Sequence, residues 1–415
     1  MRRAAFLLTP CVVLLFPCLS GGPLLAQTGD SNRVEVIVEH DLYAGGEISA
    51  RLSRYLADLA AQGYTWNLTT SFTPTSTAED VRNHLAAQRT ANGLAGAVLI
   101  GHLPVGTVYT GAGGGINGEF HPCDLYYTDL DGSWTSSGAH GYLPDTHTDG
   151  DGDVAPEIWL GRLTTWNLTL VQSGRTEASL LNDYFDKNHA YRTGELTTPR
   201  TALAYTDDDW DHVSRATALA MAVEGAVNDV WNDPGTGADE TTAGNYKLRL
   251  ASETYEHVLL SAHSNSTSHV IGGSSVTNTS LAALDPDVLF YHLFACSAAK
   301  FTDFGYLAGE YVFGEGSGLV AVGPAKIGGM MSDTMPDYFA PLGQGESFGE
   351  AMLNWWNDAV DPAGHTDIEK AWYYGMATIG DPTLVTQPFI PEPASLALLA
   401  AGAVLILRTR RRRKQ

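Results

Sequence analysis

Basic residues and cysteines are what this chain has least of. Its 415 residues hold 24 Lys and Arg against 47 Asp and Glu, a net charge of −23. The few bases are also badly mixed, since Arg2 and Arg3 open the chain and six more lie between Arg408 and Lys414. Setting these eight aside with the tail's lone acid, Glu392, leaves 16 bases against 46 acids. A surface this acidic repels phosphate backbones and anionic membranes, so nucleic acid is excluded as a partner. Of four cysteines, Cys11 and Cys18 fall in the leader described next, which leaves Cys123 and Cys296, too few for a disulfide scaffold. No repeat of fixed period is visible, and no apolar run reaches the roughly 20 residues of a membrane span. Material for a core is plentiful, at 44% hydrophobic residues.

Both ends read as signals. Residues 1–26 combine Arg2 and Arg3, an apolar run from Ala4 to Leu19 and small residues up to Ala26, the layout of a secretory signal peptide. At the other end, residues 391–415 run Pro391-Glu392-Pro393, apolar Ala394 to Leu407, then RTRRRRKQ. This tail resembles the PEP-CTERM sorting signal. The resemblance implies export in a Gram-negative bacterium, processing by signal peptidase and an exosortase, transient anchoring through the tail, and a product at the cell surface or in the matrix.

Between the signals, β-branched runs alternate with amphipathic ones, the order of an α/β protein. The length predicts two tandem α/β subdomains, residues 27–195 with long Gly- and Asp-rich loops and residues 196–390. Strands are expected at Val34–Glu39, Ala97–Ile100, Glu157–Leu160, Thr201–Tyr205, His257–Ser261, Val288–Phe294 and Leu319–Val322. Helices are expected at Ile48–Ala61, Val213–Val227, Ser347–Ala359 and Glu369–Thr378. Gly111-Ala-Gly-Gly-Gly115 lacks the third glycine and following helix of a nucleotide loop, so it reads as a flexible loop.

Two expected core strands end in reactive side chains: HVLLS runs into Ala262-His263-Ser264, and VLFYHLF into Ala295-Cys296-Ser297. Carboxyl ends of parallel strands share one edge of a sheet, where sites form. Neighbouring strands would place His263 beside Cys296, and an imidazole there lowers the thiol's pKa and supplies a proton to a leaving amine. His292 is expected in the core and His269 in a loop.

The words SAHSNST, LFACSAAKF, GSGLVAVG, SFGEAMLNWW and YYGMATIGDPTL, in this order, with PCDLYYTDLDG and APEIWLGRL upstream, resemble the gingipain-type cysteine peptidases of the caspase-like clan. The resemblance implies caspase-like sheets flanked by helices and an endopeptidase acting on protein or peptide substrates without a chemical cofactor. It makes Cys296 the nucleophile, His263 the general base and acid, and Glu157 the carboxylate that orients the histidine. It further implies that backbone N–H groups of Ser264 and Cys296 form the oxyanion hole. The family has Gly where this chain has Ser264, so a backbone needing positive φ there would be strained. A weakened or inactive surface protein that keeps the fold for binding is the alternative. No Arg or Lys preference carries over, because basic specificity requires a buried carboxylate facing the substrate cation and residues 163–176, after GRL, contain no acid. Asp149, Asp151 and Asp153, with glycines between, suit a structural calcium in an extracellular loop. Zinc is not expected, since His102, His121, His140 and His147 lack the spacing of a zinc site.

Overall fold

The computed structural model describes residues 32–111, 117–232, 240–328, 334–359 and 372–386. The leader, the sorting tail, most of the 111–115 loop and the start of the expected 369–378 helix lie outside the described residues. Strands β1 (Arg33–Val38), β2 (Thr65–Thr69) and β3 (Leu94–Ile100) come first. Two hairpins follow, β4 (Thr107–Thr110) with β5 (Glu119–Pro122) and β6 (Ser133–Thr135) with β7 (Thr146–Thr148). Next are β8 (Trp159–Leu163), β9 (Ala202–Thr206), β10 (Val227–Trp231) and β11 (Tyr255–Ser261). A small sheet of β12 (His263–Ser264), β13 (Ser268–Ile271) and β14 (Ser274–Thr277) precedes β15 (Val288–Phe294), β16 (Val320–Pro324) and β17 (Met376–Gly380).

Among the described residues, ten of these strands form one sheet in the order β10-β9-β11-β15-β16-β17-β8-β3-β1-β2. All its pairings are parallel except β16 with β17. The sheet therefore has two parallel blocks of opposite direction, and the segments on either side of residue 195 share it. One consequence matters for the site: the amino end of β8 lies on the same edge as the carboxyl ends of β9, β11, β15 and β16.

Helices cover both faces, which is why the central strands are apolar without alternation. All seven residues of β11 are buried. Val258 and Leu260 face one core and Leu259 the other, as the two-residue period of a strand requires. Val98 and Ile100 of β3 likewise pack with the helices Ser49–Ala61 and Glu177–Thr193, while Ala97 and Leu99 meet Val81 and Leu85 of Ala78–Asn92.

Two expected helices come out differently. The helix expected over Val213–Val227 spans only His212–Leu219, and Val227 opens the edge strand β10. The helix expected over Glu369–Thr378 gives way at residue 376 to β17, which runs to Gly380 in the middle of the sheet. There the run Met-Ala-Thr-Ile-Gly bridges the two blocks, and tertiary pairing overrides a local helical pattern. The strand expected at Glu157–Leu160 starts at Trp159 and continues to Leu163.

Among the described residues, His121, His257, His269 and His292 are fully enclosed. His257 Nδ1 and His292 Nε2 are 3.0 Å apart between β11 and β15. His269, expected in a loop, is a buried residue of β13 whose ring nitrogens have no hydrogen-bond partner among the described residues. Burial pushes His257 and His269 down to about 3. Unfolded imidazoles titrate near 6.5. As pH falls from about 6.5 towards 3, the unfolded chain binds protons that the native chain refuses, and stability is lost. Burial raises Glu177 and Glu310 to about 7, which acts in the opposite sense over the same range. The contribution of one histidine is thus best measured as a difference between variants. His269→Phe should flatten the acid-side loss of unfolding free energy between pH 7 and 4 by up to about 1.4 kcal/mol per pH unit. Equal slopes in urea titrations of the two proteins would contradict this.

Candidate active site

β11 and β15 pair in parallel with Ser261 opposite Phe294. His263 and Cys296 each follow two residues later, after the buried Ala262 and Ala295. Both thus leave the sheet at one edge from adjacent strands, which in any sheet lie about 4.8 Å apart. The Cys296 thiol is partly buried and 3.6 Å from the Gly328 carbonyl oxygen, to which it donates. On the far side of β11, β9 pairs Thr206 with Ser261, and Asp209 follows three residues on. Its Oδ2 lies 2.9 Å from His263 Nε2, and the Trp210 ring packs 4.8 Å from the imidazole. Three consecutive strands, β9, β11 and β15, therefore deliver a carboxylate, an imidazole and a thiol to one rim.

The His263 and Asp209 side chains are 60% and 64% exposed. A polar contact in that setting is worth under about 1 kcal/mol, so what it supplies is orientation, with little effect on stability. Asp207, which opens the acidic triplet, turns inward. It accepts the Gly272 N–H at 3.4 Å, and burial raises it to about 6.

Glu157 is elsewhere. It sits on the same edge, but β8 is four strand spacings from β11, roughly 19 Å at about 4.8 Å each, beyond the reach of a glutamate. Its Oε2 accepts the Leu130 N–H at 2.5 Å, and the carboxylate at His263 is Asp209 instead. Burial, with Asp129, Asp131 and Asp153 nearby, raises Glu157 to about 7.

The acids at 149, 151 and 153 do not converge. Among the described residues, the group whose ligand atoms come together is Asp129, Asp131 and Glu157, within 4.8 Å of one another. The 149–153 loop wraps Asp131: the Asp151 N–H donates to its carbonyl at 2.9 Å and the Asp153 N–H to its Oδ1 at 3.2 Å. A Cβ on Gly150 would lie 2.4 Å from the Asp131 carbonyl oxygen, and one on Gly152 would lie 2.1 Å from the Asp131 carboxylate. The alternation of Asp with Gly thus reflects close packing on Asp131. Three carboxylates, one of them buried, make a donor set that fits a hard cation such as calcium. Asp129 already accepts the Gly132 N–H at 2.6 Å and pairs with His147.

Cys123 is a free, fully buried thiol, raised by desolvation, and Cys296 is also free. Trp355, Trp356, Trp372, Tyr373 and Tyr374 are core residues, as their helical setting suggests. Asp381 organises a turn by accepting the Thr383 N–H at 3.0 Å.

The strain expected at Ser264 is absent, since the described non-glycine residues with positive φ are Asp285 and Ser297. The Asn265 N–H donates to Ser268 O at 3.0 Å. By antiparallel alternation, the next pair, Ser264 with His269, is not hydrogen-bonded, so the Ser264 N–H points away from β13. Strain sits instead at Ser297, directly after Cys296, with φ +58 and its N–H donated to Lys326 O at 2.9 Å. Ser297→Gly should raise unfolding stability by about 0.5–1 kcal/mol by relieving the left-handed backbone. A lower thermal midpoint than wild type would refute that.

No curated protein sequence matches the chain significantly. Among solved structures, the Arg-specific cysteine proteinase gingipain R aligns at 14% identity with a TM-score of 0.60, covering 86% of this chain and 78% of that one. A complex of the Porphyromonas gingivalis RgpB pro- and mature domains aligns at 14% identity and 0.59, covering 85% and 79%. These likenesses show a shared mixed α/β, caspase-like fold. The model of peptidase family C25 matches residues 73–387, nearly the whole described body. The chain therefore belongs to peptidase family C25 and is a cysteine-type peptidase.

Proposed function

We propose that the protein is an exported cysteine endopeptidase in which Cys296 is the nucleophile, His263 the proton carrier and Asp209 the carboxylate that orients it. The observation that carries this reading is the β9-β11-β15 register, which brings all three residues to one rim within three residues of their strand ends. With His263 Nε2 turned to Asp209, Nδ1 is the nitrogen left to serve the thiol.

In the first half-reaction the Cys296 proton passes to His263 as sulfur bonds to the scissile carbonyl carbon. The oxyanion is received by the N–H groups of Ser264 and Cys296. Collapse breaks the C–N bond, His263 protonates the departing amine, and a thioester remains. Water, deprotonated by His263, then attacks the thioester, releasing the carboxylate product and restoring the thiol. The outward-facing Ser264 N–H supports its place in the oxyanion hole.

Export and sorting rest on the leader and on the Pro391-Glu392-Pro393 tail, with signal peptidase and an exosortase as processing partners. Among the described residues, no helix is long and apolar enough to cross a membrane. Calcium is assigned a structural role at Asp129, Asp131 and Glu157, with no part in the chemistry.

Digestion of a mixed peptide library by the processed protein tests the reading. Cys296→Ala should abolish hydrolysis. Asp209→Asn should lower kcat/KM on the order of 10- to 100-fold and move its pH profile. Hydrolysis that persists in Cys296→Ala sinks the mechanism, and an unchanged rate and profile in Asp209→Asn removes the third residue. Millimolar calcium should raise the thermal midpoint of wild type but not of a variant carrying Asp131→Asn and Glu157→Gln. Equal shifts in both would place calcium elsewhere.

A further inference from the structure

Lys326 follows β16 and is 0% exposed. A buried ammonium is costly unless paired, and the described carboxylate that acts on this one, Glu119, lies outside salt-bridge distance. Its Nζ donates to Thr110 Oγ1 in β4, at 2.5 Å. Because an ammonium only donates, the Thr110 oxygen accepts, and the hydroxyl's own hydrogen is free to go to His121 Nε2 at 3.3 Å. His121 is neutral, lowered to about 3 by burial and by Lys326, and its Nδ1 donates to Pro122 O at 2.9 Å. The whole relay is thus ordered in one direction and ties Lys326 to both strands of the β4–β5 hairpin.

The backbone around Lys326 faces the other way, towards the nucleophile. Lys326 O accepts the strained Ser297 N–H at 2.9 Å, and Gly328 O accepts the Cys296 thiol at 3.6 Å. Between them, the Ile327 N–H donates to Glu119 Oε1 of β5 at 2.8 Å. Three successive residues therefore make alternating bonds to the nucleophile turn and to a hairpin from the amino-terminal part of the chain.

We propose that Lys326 is a positioning residue for Cys296: its ammonium fastens the 326–328 segment to the β4–β5 hairpin and so holds the nucleophile turn in its reactive conformation. This rests on the reading of Cys296 as the nucleophile. It also accounts for a buried cation in a place where an apolar side chain would be cheaper. A residue kept only for stability would, when lost, lower stability and activity together, whereas a positioning residue separates them.

Lys326→Met and Thr110→Val remove the two ends of the bond, and Thr110→Ser keeps the hydroxyl. Lys326→Met should keep a thermal midpoint at or above that of wild type, and Thr110→Val, which strands the ammonium, should fall below it, while in both kcat falls on the order of ten-fold and KM changes less than about three-fold. Thr110→Ser should restore kcat, and the double variant should be no worse than either single one. Amide exchange at Ser297 and Ile327 should quicken in Lys326→Met and Thr110→Val. Wild-type kcat and exchange in these variants would overturn the proposal, as would a loss of kcat in Lys326→Met matched by a fall in its thermal midpoint. If wild type hydrolyses nothing, the peptidase reading fails first, and amide exchange still decides whether the ammonium holds the turn.

Discussion

Everything at the rim depends on one pairing, the parallel contact of β11 with β15. Both strands are enclosed by helices on each face, so their register is fixed by packing: a shift of one residue would exchange the two cores along the whole strand. Because Ser261 is held opposite Phe294, the two residues that follow emerge side by side. No long-range electrostatic steering is needed to bring thiol and imidazole together. The chemistry of the site is a by-product of how two hydrophobic strands must stack.

The polar parts of the site are arranged in layers around that pairing. The His263–Asp209 contact is exposed and contributes little to folding. The Ser297 backbone is strained, and its strain is held by the carbonyl of Lys326. The buried cation of Lys326 in turn is held by a threonine on a hairpin distant in sequence. Orientation is therefore maintained from below, by groups that never meet the substrate, while the groups that do meet it remain accessible.

Much of this was legible in the sequence. The apolar runs HVLLS and VLFYHLF mark strands buried on both faces, and parallel strands in one sheet put their carboxyl ends together, so Cys296 and His263 could be singled out without coordinates. The orienting carboxylate could not, because sequence pattern does not reveal which strand lies next to β11. Asp209 stands in an Asp207-Asp208-Asp209 run after a strand with no motif to mark it, and Glu157 was singled out only by the resemblance that APEIWLGRL carries. The Asp-Gly alternation at 149–153 was ambiguous for a related reason: glycine permits a metal loop and a loop pressed on another backbone equally well. β17 was missed because its helical pattern is local, whereas its pairing joins segments far apart in the chain. Lys326, one base among few, carries no motif, and its meaning lies entirely in its burial.

The reversal of strand direction between β16 and β17 has a consequence for how such an enzyme can vary. Since the amino end of β8 arrives at the rim where β11 and β15 finish, the long insertion ahead of it is delivered to the nucleophile's neighbourhood by a separate block of the sheet. Its loops beyond the β4–β5 hairpin can change without disturbing either the strands that carry the reacting groups or the Thr110–Lys326 contact that braces the nucleophile turn. Variation at the rim is therefore open to those outer loops, while the hairpin and the strand ends stay constrained by one another.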